Sequence, residues 1–313
     1  MYYMVYDIYH DESKEEAYWH GFYFVPRKNR NCLLNLLYEA RKNVNYFHQI
    51  HYCKIKSKAK SNSAKAIITK SWTSIGVASL QQQKPDQNPL KIYMGQIPRR
   101  DPKYKILKDL ITCKFAVFKE KDKHKKMFFK YDKLRNIEIT FKMALKGALH
   151  RLFDNENPIT VGNVYIDNDE QYKGQYGRNI NKSNIIRQLQ LEKRTYVKFL
   201  DNSKIIPQKS DHFKINSKQD PADSHLLQLC DILIGGVRFY SYCPDPASAK
   251  YRISEQCKYL LEHDQENKAW MNNSRYCNGF LLNEAWIEND KWNFDQLNVA
   301  KNNKYKQLNL EYK

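Results

Sequence analysis

The stretch from Asp223 to Tyr242 constrains the fold more than any other part of this chain. Leu226, Leu227, Leu229, Cys230, Ile232, Leu233, Ile234 and Val237 place apolar side chains on every side of a helix that ends before Pro244. A helix apolar all round belongs inside a core. Yet Asp231 stands in its middle, on one stripe with Ser224, Gln228, Gly235 and Arg238. A buried carboxylate must be paired, protonated or bound to a metal. Gly235, one turn later, leaves room for another backbone or a ligand. The apolar run is too short to cross a bilayer.

Around this helix the chain reads as α/β. Met4 to Asp11 alternates with a period of two, and Tyr18 to Val25 is a second, aromatic strand ending at Pro26. The acidic stretch Glu12 to Glu16 connects them as a hairpin. Helical spacing follows at Leu33 to Val44, a strand at Ile50 to Ile55, and a helix at Ser63 to Leu80. Further strands are expected at Leu90 to Met94, Thr112 to Phe118, Val161 to Asp167 and Tyr196 to Leu200, with helices at Leu134 to Phe153 and Ser183 to Lys193. Strands first, then alternating helices and strands, describe a sheet that starts antiparallel and becomes parallel, flanked by helices. The expected division is a domain over 1–245, with a basic insertion around 84–135, and a helical appendage over 246–313 packed on the core.

The formal net charge is +19, and +9 of it falls between Arg99 and Arg135. Lysine and arginine displace counterions from phosphate backbones, so this excess points to nucleic acid. Lysine outnumbers arginine 40 to 13 amid abundant asparagine, isoleucine and tyrosine, a bias that an AT-rich coding sequence also produces. Arg99, Arg100, Lys121, Lys123, Lys125 and Lys126 are the backbone-holding candidates, with Lys218 as a phosphate contact beside the buried helix. Tyr172 and Tyr176 offer stacking surfaces for unpaired bases. The seven cysteines are scattered without a C-x-x-C pair, and no secretory signal or membrane span is read, so a cytoplasmic protein with reduced thiols is expected. A protein partner or homo-oligomer is not readable. No Walker A loop, Gly-x-Ser-x-Gly elbow or His-Glu-x-x-His motif occurs, which argues against an NTPase, a serine hydrolase or a zinc protease.

Two more acids end strands: Asp11 and Asp167. Carboxylates at strand ends can converge at one sheet edge, where a helix can present a third. Three in a cleft repel one another unless a divalent cation neutralises them, and all-oxygen ligation suits magnesium or manganese. Such ions support phosphodiester cleavage.

The segments Ile8-Tyr9-His10-Asp11-Glu12-Ser13, Val164-Tyr165-Ile166-Asp167, and Ser217-Lys218 followed by Leu227 to Gly235 resemble the family catalogued as domain of unknown function 3800. Its members begin with a strand ending in Asp-Glu-Ser-Gly and finish with a Leu-Gln-Leu-Ala-Asp-Leu-Ile-Ala-Gly helix. The resemblance runs in order and spacing from Tyr3 to Tyr242. It implies a ribonuclease H-like fold, a metal-binding cluster of Asp11, Asp167 and Asp231, and metal-dependent cutting of DNA or RNA, in a family often associated with mobile elements or defence against them. Three departures stand out: Lys14 for glycine, Cys230 for alanine, and Gln49 in His48-Gln49-Ile50-His51, where many members carry a glutamate. Glutamine brings an oxygen without a charge. Glu12, as a fourth catalytic ligand, or Glu138 is expected to compensate.

Among the histidines (His10, His51, His212, His225), His225 is the best general-base candidate because it shares the helix of Asp231. Arg238, two turns beyond Asp231, is a candidate partner for an acid or a phosphate. The leading expectation is a magnesium- or manganese-dependent nuclease. The alternatives are a catalytically degenerate nucleic-acid-binding or scaffolding subunit, favoured by Gln49, and a hydrolase of small phosphoesters.

Overall fold

A computed structural model describes residues 3–13, 17–55, 63–80, 100, 110, 112–120, 133–167, 180–192, 194–208, 222–242, 246–258, 260–261, 279–288 and 291–297. The expected strand at Leu90 to Met94, the loop Tyr172 to Arg178, and Arg99, Lys121, Lys123, Lys125, Lys126 and Lys218 lie outside these residues.

The described residues form a mixed α/β structure around one sheet of eight strands. In chain order the elements are β1 (Met4–Ser13), β2 (Tyr18–Pro26), α1 (Arg30–Lys42), α2 (Ala64–Ala78), β3 (Lys114–Glu120), α3 (Lys133–Leu152), β4 (Ile159–Asp167), α4 (Lys182–Leu191), β5 (Val197–Phe199), β6 (Ile205–Gln208), α5 (Ala222–Ser241), α6 (Ala249–Ile253), β7 (Phe280–Glu288) and β8 (Lys291–Gln296). The strand β2 runs antiparallel to β1 on one side and to β3 on the other. On the other side of β1 lies β4, parallel to it, and β4 in turn carries β5 and β6 as two short parallel pieces. Beyond β3 the sheet continues through parallel β7 and antiparallel β8.

Alternation along β1 sorts its side chains into two cores. Tyr9 faces the helices α1, α2 and α5, whereas Tyr6 and Ile8 face α3 and α4. Helices therefore cover both faces. Ser63 caps α2 by accepting from the Ala66 N–H at 3.3 Å, and Asn181 caps α4 by accepting from the Asn184 N–H at 3.0 Å. The helix α5 is buried on nearly every side, as its all-round apolar sequence requires. No helix among the described residues is long and apolar enough to cross a membrane.

Two expectations are corrected. Residues 50–55 form no strand; they are a turn-containing loop whose N–H groups bond to side chains of α5. The C-terminal stretch, expected as helical pieces, supplies two strands of the sheet itself. Among the described residues of this stretch, α6 and the helical residues 255–258 and 260–261 are the packed helical pieces, with Ala249, Ile253, Cys257, Leu260 and Leu261 buried.

Candidate functional site

The parallel pairing of β1 and β4 sets Tyr9 against Tyr165 and His10 against Ile166. The rings of Tyr9 and Tyr165 stack at 5.0 Å with their planes 8° apart, on the face that α5 covers. Two residues farther along each strand, on that same face by alternation, stand Asp11 and Asp167. The helix seats directly on this pair of strands and on β2. Cys230 points its thiol at the Tyr9 and Gly21 carbonyls, at 3.4 and 3.5 Å. A Cβ on Gly21 would lie 2.3 Å from the Ile234 side chain, so β2 needs glycine for the helix to approach this closely. Such close seating brings Asp231 to Asp11, on which Asp167 also acts.

The electrostatics record the meeting. Burial, then the carboxylates of Asp231 and Asp167, push Asp11 well above the usual aspartate range; Glu12 adds to this, and the bond from the Glu12 N–H to Oδ1 at 2.7 Å opposes it. The three are not a compact chelate. Among the described residues, the one group of three or more His, Cys, Asp or Glu ligand atoms all within 4.8 Å of one another is His10, Glu12 and His20.

The loop over 46–55 completes the surroundings of Asp231. Gln228 Oε1 accepts from the Ile50 N–H at 3.0 Å and from Arg41 at 2.8 Å; Asp231 Oδ2 accepts from the Tyr52 N–H at 2.8 Å. Arg41 also donates to the Tyr46 and His48 carbonyls, at 3.3 and 2.7 Å, and burial lowers its pKa to about 10. The space left by Gly235 is taken by the Tyr52 ring: a Cβ there would lie 2.2 Å from Tyr52 Cγ. Tyr52 is anchored beyond by a 2.7 Å bond between its hydroxyl and Ser254 Oγ. His51 Nδ1 is 3.5 Å from Asp231 Oδ2, and Gln49 contacts the other ring nitrogen of His51 through its side-chain nitrogen. Side-chain exposures of 22% for His51 and 14% for Asp231 leave both partly accessible to solvent. The sequence offers His51 as one histidine among several, and nothing local in it signals that Asp231, far along the chain, is its neighbour.

Other expected site residues lie elsewhere. Glu12 is the neighbour of Asp11 in sequence, but strand alternation turns it to the opposite face of the sheet, where Tyr18 donates to it and His20 Nδ1 lies 3.6 Å away. It is not a fourth ligand to the aspartates. Glu138 sits on α3 and accepts from the Asn181 N–H at 2.5 Å, so it does not replace the missing glutamate either. His225 is inside the core, edge-on to Trp72 at 5.5 Å, and burial followed by Arg41 lowers its pKa to about 3. That is a neutral packing histidine, not a general base at the site. Arg238 is buried and close enough to Tyr52 to act on its hydroxyl, which makes it part of the loop's support. Arg100 is exposed.

Asp7 shows what an aspartate of this strand looks like when it is structural. It is 3% exposed, and Arg27 grips it with Nε at 3.0 Å and a terminal nitrogen at 2.7 Å. The Asn163 N–H donates a third bond at 2.8 Å, across the irregularity between Tyr6 and Ile8 in the β1–β4 pairing. Its charge is answered by protein groups, while that of Asp11 faces two more carboxylates.

Comparison with family models, with curated proteins and with solved structures finds no match to this chain.

Proposed function

We propose that this protein is a divalent-metal-dependent nuclease that hydrolyses DNA or RNA phosphodiesters at Asp11, Asp167 and Asp231 on a ribonuclease H-like sheet. The observation that carries this reading is the crowding of three carboxylates from β1, β4 and α5, two of which act on the third. Sheet order supports it: an antiparallel β3-β2-β1 start is followed by parallel β4, β5 and β6. The resemblance of the three aspartate-bearing motifs to the domain of unknown function 3800 family agrees with both.

The donor set fits magnesium or manganese, being all oxygen and wider than a single compact chelate, so that bound ions would retain part of their water. Bound there, the metal would activate a water and neutralise charge on the leaving oxygen. The chain's own residues have separate parts. The Tyr52 N–H fixes one oxygen of Asp231. His51, beside the same oxygen and partly accessible to solvent, can hold or pass a proton at its ring nitrogen. The basic segment 99–135 would hold the phosphate backbone beside the acids, which alone would repel it.

One observation favours a second reading, a nucleic-acid-binding subunit with a degenerate centre. Gln49 reaches the surroundings of Asp231 only through His51, and it brings no charge. Incubating the protein with labelled single- and double-stranded DNA and RNA, with and without manganese, separates the two. Manganese-dependent cleavage supports the nuclease; tight, salt-sensitive binding without cleavage under any divalent ion supports the degenerate subunit.

A further inference from the structure

The face of the sheet opposite the aspartates holds a second group of ligand-bearing side chains. His20 lies directly across from Glu12 in the β1–β2 pairing. Its Nδ1 is 3.2 Å from His10 Nε2 and 3.6 Å from Glu12 Oε1. Its Nε2 is 2.6 Å from Glu120 Oε1 on β3, and Tyr18 donates to the other Glu12 oxygen. The side chains of His20, Glu12 and Glu120 are 1%, 0% and 7% exposed. Aromatic rings wall the group, with Phe22 4.5 Å and Phe141 4.7 Å from the His10 ring.

Three donor atoms converge on a point that a cation can occupy. An Nε2–H of His20 donating to Glu120 leaves Nδ1 as a lone pair, which faces His10 Nε2 and a Glu12 oxygen; without an ion a His10 N–H satisfies it, and with one all three atoms become ligands. Two carboxylates removed from water need compensation. Tetrahedral bonds of about 2.0–2.1 Å place donor atoms about 3.3–3.4 Å apart. The separations of 3.2 and 3.6 Å bracket that value, and all three ligand atoms fit within 4.8 Å.

We propose that His10, His20 and Glu12 form a buried site for a divalent ion of the zinc class, with Glu120 as the positioning residue that fixes the His20 tautomer. Two imidazole nitrogens separate this site from the all-oxygen aspartates, because nitrogen donors select zinc-like transition metals over magnesium. A carboxylate accepting from the far nitrogen of a ligating histidine is the usual support of such a ligand. The role is structural: the ion would tie β1 to β2 behind the strand end that presents Asp11. This site does not depend on the nuclease reading.

The test loads the purified full chain with zinc, dialyses it, and measures metal content and the affinity for zinc; cobalt substitution reports the coordination by its visible absorption. The expected result is one tightly held zinc per chain in the wild type and equally in Asp167→Asn, with an intense tetrahedral cobalt spectrum. His10→Phe, which suits the surrounding rings, abolishes binding. Glu12→Gln, which keeps the shape, does the same if His10→Phe fails to fold, and Glu120→Gln weakens binding by about 10–100-fold. Retention of no zinc by the wild type overturns the proposal. So does unchanged zinc binding in both His10→Phe and Glu12→Gln. Loss of zinc in Asp167→Asn would assign the ion to the aspartates instead.

Discussion

Tyr9 and Tyr165 stack at 5.0 Å on neighbouring parallel strands, and this pair sets where Asp11 and Asp167 emerge two residues later. The stack also forms part of the floor on which α5 rests, through Cys230 against the Tyr9 carbonyl. One packing arrangement therefore brings Asp231 and Asp167 to Asp11. Their closeness is a consequence of the core.

That closeness has a pH signature. Asp11 has a folded-state pKa raised above its unfolded value, by burial and by Asp231 and Asp167. Its ionisation therefore costs stability, and the cost grows as pH rises from about 4 toward the raised value. In chelator, Asp11→Asn is expected to melt higher than the wild type, with a gap that widens as pH rises. Manganese should narrow the gap by stabilising only the wild type. Melting curves that run parallel across pH would remove the crowding from the account.

Asp7→Asn should do the reverse on the same strand. It removes the charge that Arg27 and the Asn163 N–H address, and the expected cost is about 1–3 kcal/mol, moderated because Arg27 is 44% exposed. Denaturant melts of the two asparagine variants side by side check the contrast. Stability changes of the same sign would mean that the two aspartates are alike.

Gly235→Ala tests the loop over the site without touching an acid. The new methyl collides with the Tyr52 ring, whose backbone holds Asp231. Overpacking of this kind costs about 1–3 kcal/mol. Cleavage should fall along with stability, because His51 moves with Tyr52. If thermal stability drops while cleavage is unchanged, the loop has no part in the site.

His51→Ala leaves the three aspartates in place but removes the ring beside Asp231. Loss of a proton-handling group typically costs about 10²–10⁴-fold in rate. Nucleic-acid affinity should stay the same, which gel shifts would show. Equal losses in rate and affinity would make His51 a binding contact.

Neutralising Arg99, Arg100, Lys121, Lys123, Lys125 and Lys126 together should weaken binding and flatten its salt dependence. The log–log slope should shrink by about 0.9 for each phosphate that the protein no longer neutralises. An unchanged slope would attribute the basic balance of this segment to composition.

The helix α5 is legible in the sequence because an apolar surface on all sides admits one placement, and Asp231 within it then demands a partner. Asp167 is legible as a strand end, whereas Asp11, also expected at one, stands two residues inside β1, which pairs with β2 as far as Ser13. Glu12 reads as a ligand beside Asp11 only if adjacency in sequence is taken for adjacency in space; the alternation of its own strand places it on the other face. The loop over 50–55 mimics a strand because Ile50 and Tyr52 alternate with polar residues. Their N–H groups instead find Gln228 and Asp231 on a helix far along the chain, and no local pattern encodes that. Strands β7 and β8 are obscured for a related reason: their period is blurred by buried Asn283 and by tryptophans that read as anchors of a helical appendage.

Cleavage of labelled nucleic acid in manganese by the wild type and by Asp11→Asn, Asp167→Asn and Asp231→Asn, with binding measured in parallel, tests the central claim most directly. Cleavage by the wild type alone is expected, with a loss of at least about a hundredfold in each variant and binding retained. Cleavage that survives Asp231→Asn, or a wild type that binds and never cuts, would contradict it.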